Sequence, residues 1–88
     1  MEIQLKLYGS SKLLSDSATL LIQLPENSNV KKLRNTLTMI ISEKHSKSNL
    51  AGLSKTAAFF SKNDEVINDN YKLKNKELIS IIPPIGGG

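Results

Sequence analysis

The chain has 88 residues, no cysteine, and 12 lysine plus arginine side chains against 8 acidic ones, a net charge of +4. That length supports one domain burying roughly 60 to 65 per cent of its extended surface, too small for a deep enzyme cleft, and the lack of cysteine excludes disulfides, thiolate metal sites and a cysteine persulfide. No apolar run approaches the roughly 20 residues of a membrane span, and Met1-Glu2-Ile3-Gln4-Leu5 lacks signal-peptide regions, so a cytoplasmic protein is expected; with basic charge evenly spread, Arg34 the only arginine and few aromatics, nucleic-acid binding is not.

Ile3, Leu5 and Leu7 alternate with Glu2, Gln4 and Lys6, the period-two pattern of a strand with one buried face. Ser10 to Ser17 frames Leu13 and Leu14 with polar residues and reads as a loop with a turn of helix. Ala18 to Leu24 predicts a second strand, ended at Pro25-Glu26-Asn27-Ser28, and the two strands suit a hairpin. From Val30 the period becomes helical, through Leu33, Leu37, Ile40, Ile41 and Lys44, with Ser28 or Asn29 able to cap the first turn. The polar run from His45 to Asn49 ends this helix.

Lys55 to Ser61 predicts a third strand, Asn63-Asp64 a turn and Glu65 to Ile67 a short strand. Tyr71 to Lys74 then leads into Asn75, suited to a positive-φ turn, before a closing strand from Glu77 to Ile82. Phe59 and Phe60 are adjacent on a strand, so one faces inward and the other outward. This order predicts an α+β fold, a mixed sheet with one main helix packed across one face, as residues 1–82. Residues 83–88, Pro83-Pro84-Ile85-Gly86-Gly87-Gly88, predict an extended tail: the prolines fix φ and lack donors, while glycine threads a slot too narrow for other residues.

This order and this ending resemble the ubiquitin-like β-grasp family, and more narrowly its small sulfur-carrier subunit of molybdopterin synthase. The ending carries the resemblance: a strand, Pro83-Pro84, apolar Ile85, small Gly86, then Gly87-Gly88. Leu7-Tyr8-Gly9 followed by Lys12-Leu13-Leu14, and Asn29 to Leu33, are similar to the family's strand-one ending and helix opening. Lys74-Asn75-Lys76 stands where the family often has an acidic turn, and Gly86 where it commonly has Ser, Thr or Ala.

The resemblance implies a sulfur carrier for molybdenum cofactor biosynthesis, a non-catalytic subunit with no bound cofactor. An ATP-dependent activating enzyme would adenylate the Gly88 carboxylate, and a persulfide donor would replace AMP to leave a thiocarboxylate. Inserted into the large synthase subunit, the tail would deliver sulfur to a cyclic pyranopterin. Gly88 would be the acceptor, Gly87 and Gly86 would let the backbone lie flat in the channel, and Pro83 and Pro84 would reduce the entropy of ordering it. A thiamine-pathway carrier, a protein modifier joined to lysines through Gly88, and an interaction module with an inert tail are the alternatives.

Alternation also points to a partner interface. Tyr8 shares the outward side of Gln4 and Lys6, Leu78, Ser80 and Ile82 point outward from the last strand, and Tyr8, Ile82 and Val66 are apolar positions there. His45 reads as a surface residue. Asp64, Glu65 and Asp69 lack the ligands of a metal site, and Ser10, Ser11, Ser15 and Ser17 lack the partners of a catalytic nucleophile.

Overall fold

A computed structural model describes residues 1–44 and 52–84 of the chain. Strand β1 (Glu2–Leu7) is followed by a 3₁₀ turn (Gly9–Leu14) and strand β2 (Thr19–Gln23). Helix α1 (Val30–Lys44) comes next, then a single helical turn, α2 (Leu53–Thr56). Strands β3 (Ala58–Phe60), β4 (Val66–Ile67) and β5 (Glu77–Ile82) complete the fold.

The five strands form one sheet in the order β2-β1-β5-β3-β4. β1 and β5 pair in parallel at its centre, and every other pairing is antiparallel. The expected hairpin is present, with Ile3 opposite Ile22 and Leu5 opposite Leu20.

One face of every strand is buried, which is what period-two alternation requires. Ile3, Leu5, Ile79, Ile81 and Phe59 are fully buried, and they meet Val30, Leu33 and Leu37 from one stripe of α1. Each such side chain contributes on the order of 1.5–3 kcal/mol by leaving water, so this layer dominates the stability of the domain.

The first turn of α1 is held by backbone and cap together. Val30 and Lys31 donate to the carbonyls of Tyr71 (3.0 Å) and Asp69 (3.1 Å), and Lys32 donates to Asn29 Oδ1 (3.0 Å). Asn29 is therefore the cap. Ser28 instead donates to the Pro25 carbonyl (2.7 Å), closing the turn in which Asn27 takes φ +64°.

Two local expectations are corrected. The third strand is shorter than Lys55 to Ser61, because Lys55 and Thr56 belong to α2: Ala57 donates back to the Leu53 carbonyl (2.9 Å) and the Thr56 hydroxyl to Gly52 (2.9 Å). Positive φ falls on Lys76 (+65°) rather than Asn75, whose Oδ1 accepts from the Glu2 amide (2.8 Å) while Lys76 N–H donates to the Glu2 carbonyl (2.6 Å). The turn of helix expected after β1 is present, as the 3₁₀ segment Gly9–Leu14.

Candidate functional site: the strand β5 exit and the outer sheet face

Because β1 and β5 are parallel, Leu7 and Ile81 lie side by side and the chain leaves β5 at the end of the sheet where β1 enters the 3₁₀ turn. Pro83 is half-buried there and Pro84 is exposed. Gly9, at φ +57°, passes so near that a Cβ on it would sit 3.7 Å from the Pro83 ring. The root of the tail is thus seated against the 3₁₀ turn. Ile85, Gly86, Gly87 and Gly88 lie outside the described residues, as does His45.

Ser11 fixes the neighbouring backbone. Fully buried, its hydroxyl accepts from the Tyr8 amide (2.9 Å) and donates to the Tyr8 carbonyl (2.5 Å), which sets the direction in which the Tyr8 ring leaves the sheet. The Tyr8 ring is 38% exposed and carries the Lys6 ammonium 5.4 Å from its centroid. The neighbouring Tyr8 phenol raises the Lys6 pKa above its ordinary 10.5.

Register sets out the rest of the outer face. Lys6, Ser80, Phe60 and Val66 form one row across β1, β5, β3 and β4. Ile82 and Ala58 are paired in the next row, toward the end where Tyr8 leaves β1. Val66 is 70% exposed and Ile82 half-buried. Tyr8 and Ile82 therefore sit at the same end of the sheet, and Val66 stands across it on the far edge strand.

Phe60 joins them. Half-buried on β3 between Ser80 and Val66, it turns separate apolar positions into a continuous surface that ends where Pro83 begins. Sequence reasoning gave the outward phenylalanine no role, and the signal was its place one strand from Val66. Ser80 points to this face but is only 9% exposed, covered by its neighbours.

Among the described residues no group of three or more His, Cys, Asp and Glu side chains could hold a metal ion, and no helix is long and apolar enough to cross a membrane. Asp69 is engaged by Arg34 (2.8 Å). Ser15 and Ser17 hydrogen-bond each other (3.3 Å), and Ser17 also bonds Thr19. What this region offers chemically is the exit of the chain at Pro83-Pro84 beside an apolar face.

A mixed sheet in this order with one long helix across it defines the class, a ubiquitin-like β-grasp protein. The chain belongs to the ThiS family, which matches residues 5–88. Its backbone is similar to SAMP1 from Haloferax volcanii (TM-score 0.70, 16% identity, all of both chains covered). It is also similar to a putative molybdopterin converting factor, subunit 1, from Pyrococcus furiosus (TM-score 0.66, 18% identity, 96% of this chain and 98% of that one). At those identities the likeness is one of fold. A chain in the complex of subunits 1 and 2 of molybdopterin-converting factor from Helicobacter pylori 26695 is 28% identical (TM-score 0.60, all of both chains covered). No curated protein sequence matches the chain.

Proposed function

We propose that the protein is the small sulfur carrier of a molybdopterin synthase, and that the Gly88 carboxylate is the group that is adenylated and then accepts sulfur. The observation that carries this reading is the exit of the central strand β5 through Pro83-Pro84 into a glycine run, beside the apolar face of Tyr8, Phe60, Val66 and Ile82. Membership of the ThiS family and the likeness to a chain in a two-subunit molybdopterin-converting complex support it.

A C-terminal carboxylate, with an ordinary pKa of about 3.3–3.7, is an anion at neutral pH and a poor electrophile. In this reading an activating enzyme couples it to ATP: a carboxylate oxygen attacks the α-phosphorus, pyrophosphate leaves, and the acyl adenylate is open to a sulfur nucleophile. The terminal sulfur of a persulfide donor then displaces AMP to give an acyl disulfide, and a second thiol cleaves its S–S bond, leaving the thiocarboxylate on the carrier and a disulfide on the donor side. The glycines impose no side chain on either approach. Pro83, half-buried against Gly9, holds the tail root, so docking orders fewer free torsions. The large synthase subunit would cover the apolar face, take the tail into its active site and supply the catalysis for transfer to the pterin.

Intact mass spectrometry tests the chemistry. After incubation with an activating enzyme, ATP and a sulfur donor, one oxygen of the C-terminal residue should be exchanged for sulfur. An unchanged mass, with the activating enzyme active on another carrier, overturns the reading. Binding to a large synthase subunit separates this role from a thiamine-pathway carrier, and lysine-linked adducts in the native host would mark a protein modifier instead.

A further inference from the structure

The geometry points to a second interaction surface, the open edge of β2, as a site where two copies of this chain pair strand to strand. Met1 nitrogen donates to the Leu24 carbonyl (2.6 Å) and Leu24 N–H to the Met1 carbonyl (2.8 Å), while Leu7 N–H donates to Ala18 (3.0 Å). In an antiparallel ladder such pairs recur at every second residue, so Ile22 and Leu20 also turn their backbone groups toward β1. Thr19, Leu21 and Gln23 turn theirs away. The Thr19 carbonyl is taken by the Ser17 hydroxyl (2.9 Å), whereas the outward groups of Leu21 and Gln23 have no partner among the described residues.

Exposed edges are ordinarily blunted by lysine, proline, a bulge or extreme shortness. β2 has none of these: Thr19-Leu20-Leu21-Ile22-Gln23 is uncharged, and its register with β1 runs without interruption. The opposite edge, β4, spans only Val66–Ile67. Leu21 is 57% exposed at the middle of the β2 edge.

A second copy fits this edge better than a strand of arbitrary sequence, because antiparallel self-pairing about Leu21 is complementary at each position. Leu21 then faces Leu21 of the other copy, Leu20 faces Ile22, and Thr19 faces Gln23. Lys6 lies beside Thr19 and Glu2 beside Gln23, so the same rows carry Lys6 of one copy toward Glu2 of the other on both sides of the axis. The two stand three strand spacings apart, about 14 Å, so the rows match opposite signs without a direct contact. The result is one continuous sheet through both copies. Because β5 lies inside the sheet, pairing at β2 leaves both tails and both outer apolar faces at Phe60 and Val66 accessible. This inference does not depend on the carrier reading. Two five-residue strands bury less than the roughly 1,200 Å² of a stable complex, so the dimer is weak and reversible.

Sedimentation equilibrium of the full chain, across roughly 10 μM to 1 mM, reads the association directly. A reversible monomer–dimer equilibrium is expected, weakened at least about tenfold by Leu21→Asp, which sets like charges opposite each other. Circular dichroism checks that this variant is folded. A second arm uses the absence of native cysteine: Leu21→Cys should be oxidised by glutathione disulfide to a covalent dimer, since facing residues of a hydrogen-bonded pair have Cα atoms about 5.5 Å apart, within disulfide range. A wild-type monomer at every concentration overturns the proposal. So does a dimer that Leu21→Asp leaves intact while folded, or faster cross-linking of Val66→Cys than of Leu21→Cys, either of which would place the contact elsewhere.

Discussion

The Tyr71 hydroxyl donates to Glu77 Oε2 (2.5 Å), and the other oxygen of that carboxylate accepts from the Lys74 amide (2.8 Å), so one side chain closes the turn that introduces β5. This hydrogen bond, followed by burial, raises the Tyr71 pKa above its ordinary 10.0. A group whose pKa is raised by folding stabilises the native state below its unfolded pKa and loses that contribution as pH climbs through the folded value. Stability should therefore fall above about pH 10 as the phenol ionises against Glu77. Tyr71→Phe should lose about 1 kcal/mol at neutral pH and show a shallower alkaline decline, measured by urea unfolding at pH 7 and above pH 10. Equal alkaline slopes for both proteins would show that Tyr71 does not set this limit.

At the scale of elements, Arg34 is the fastener. From α1 its guanidinium donates to Asp69 Oδ1 (2.8 Å) and to the carbonyls of Ser54 (3.1 Å) and Ala57 (2.6 Å), and it lies 4.7 Å from the centroid of the Phe59 ring. It joins α1, the end of α2, β3 and the segment before β5. A lysine ammonium has the charge but not the planar fork, and Arg34→Lys should leave a buried carbonyl of this set unpaired. A loss of about 1–3 kcal/mol is expected in denaturant unfolding, and an unchanged midpoint would assign the stability to packing alone.

Arg34 also shows where sequence reading stopped. Its composition count was visible, but two of its three acceptors are backbone carbonyls 20 and 23 residues away, and carbonyls leave no mark in a sequence. α2 was missed for a related reason, since a four-residue turn is too short to show a period and Lys55-Thr56-Ala57 passes for strand. What was legible rests on repetition. β1 buries every second residue and α1 every third or fourth, while in the β5 span Glu77–Ile82 the alternating Ile79 and Ile81 are fully buried and Ser80 between them is covered as well. On the site, alternation placed Tyr8 and Ile82 on the outward side and the family resemblance added Val66, but the place of Phe60 among them depended on knowing that β3 lies between β4 and β5.

For the molecule as a whole, the described core is assembled from residues no later in the chain than Ile81. Deleting Gly87 and Gly88 should accordingly leave the thermal midpoint unchanged while, under the proposed function, abolishing sulfur transfer, which a melting curve and a sulfur-transfer assay measure together. A lowered midpoint would mean that the tail also stabilises the body. β5, the strand that continues into that tail, is bonded on both flanks, to β1 and to β3. A pull on the chain end would therefore strain two ladders along their length instead of peeling an outer strand bond by bond.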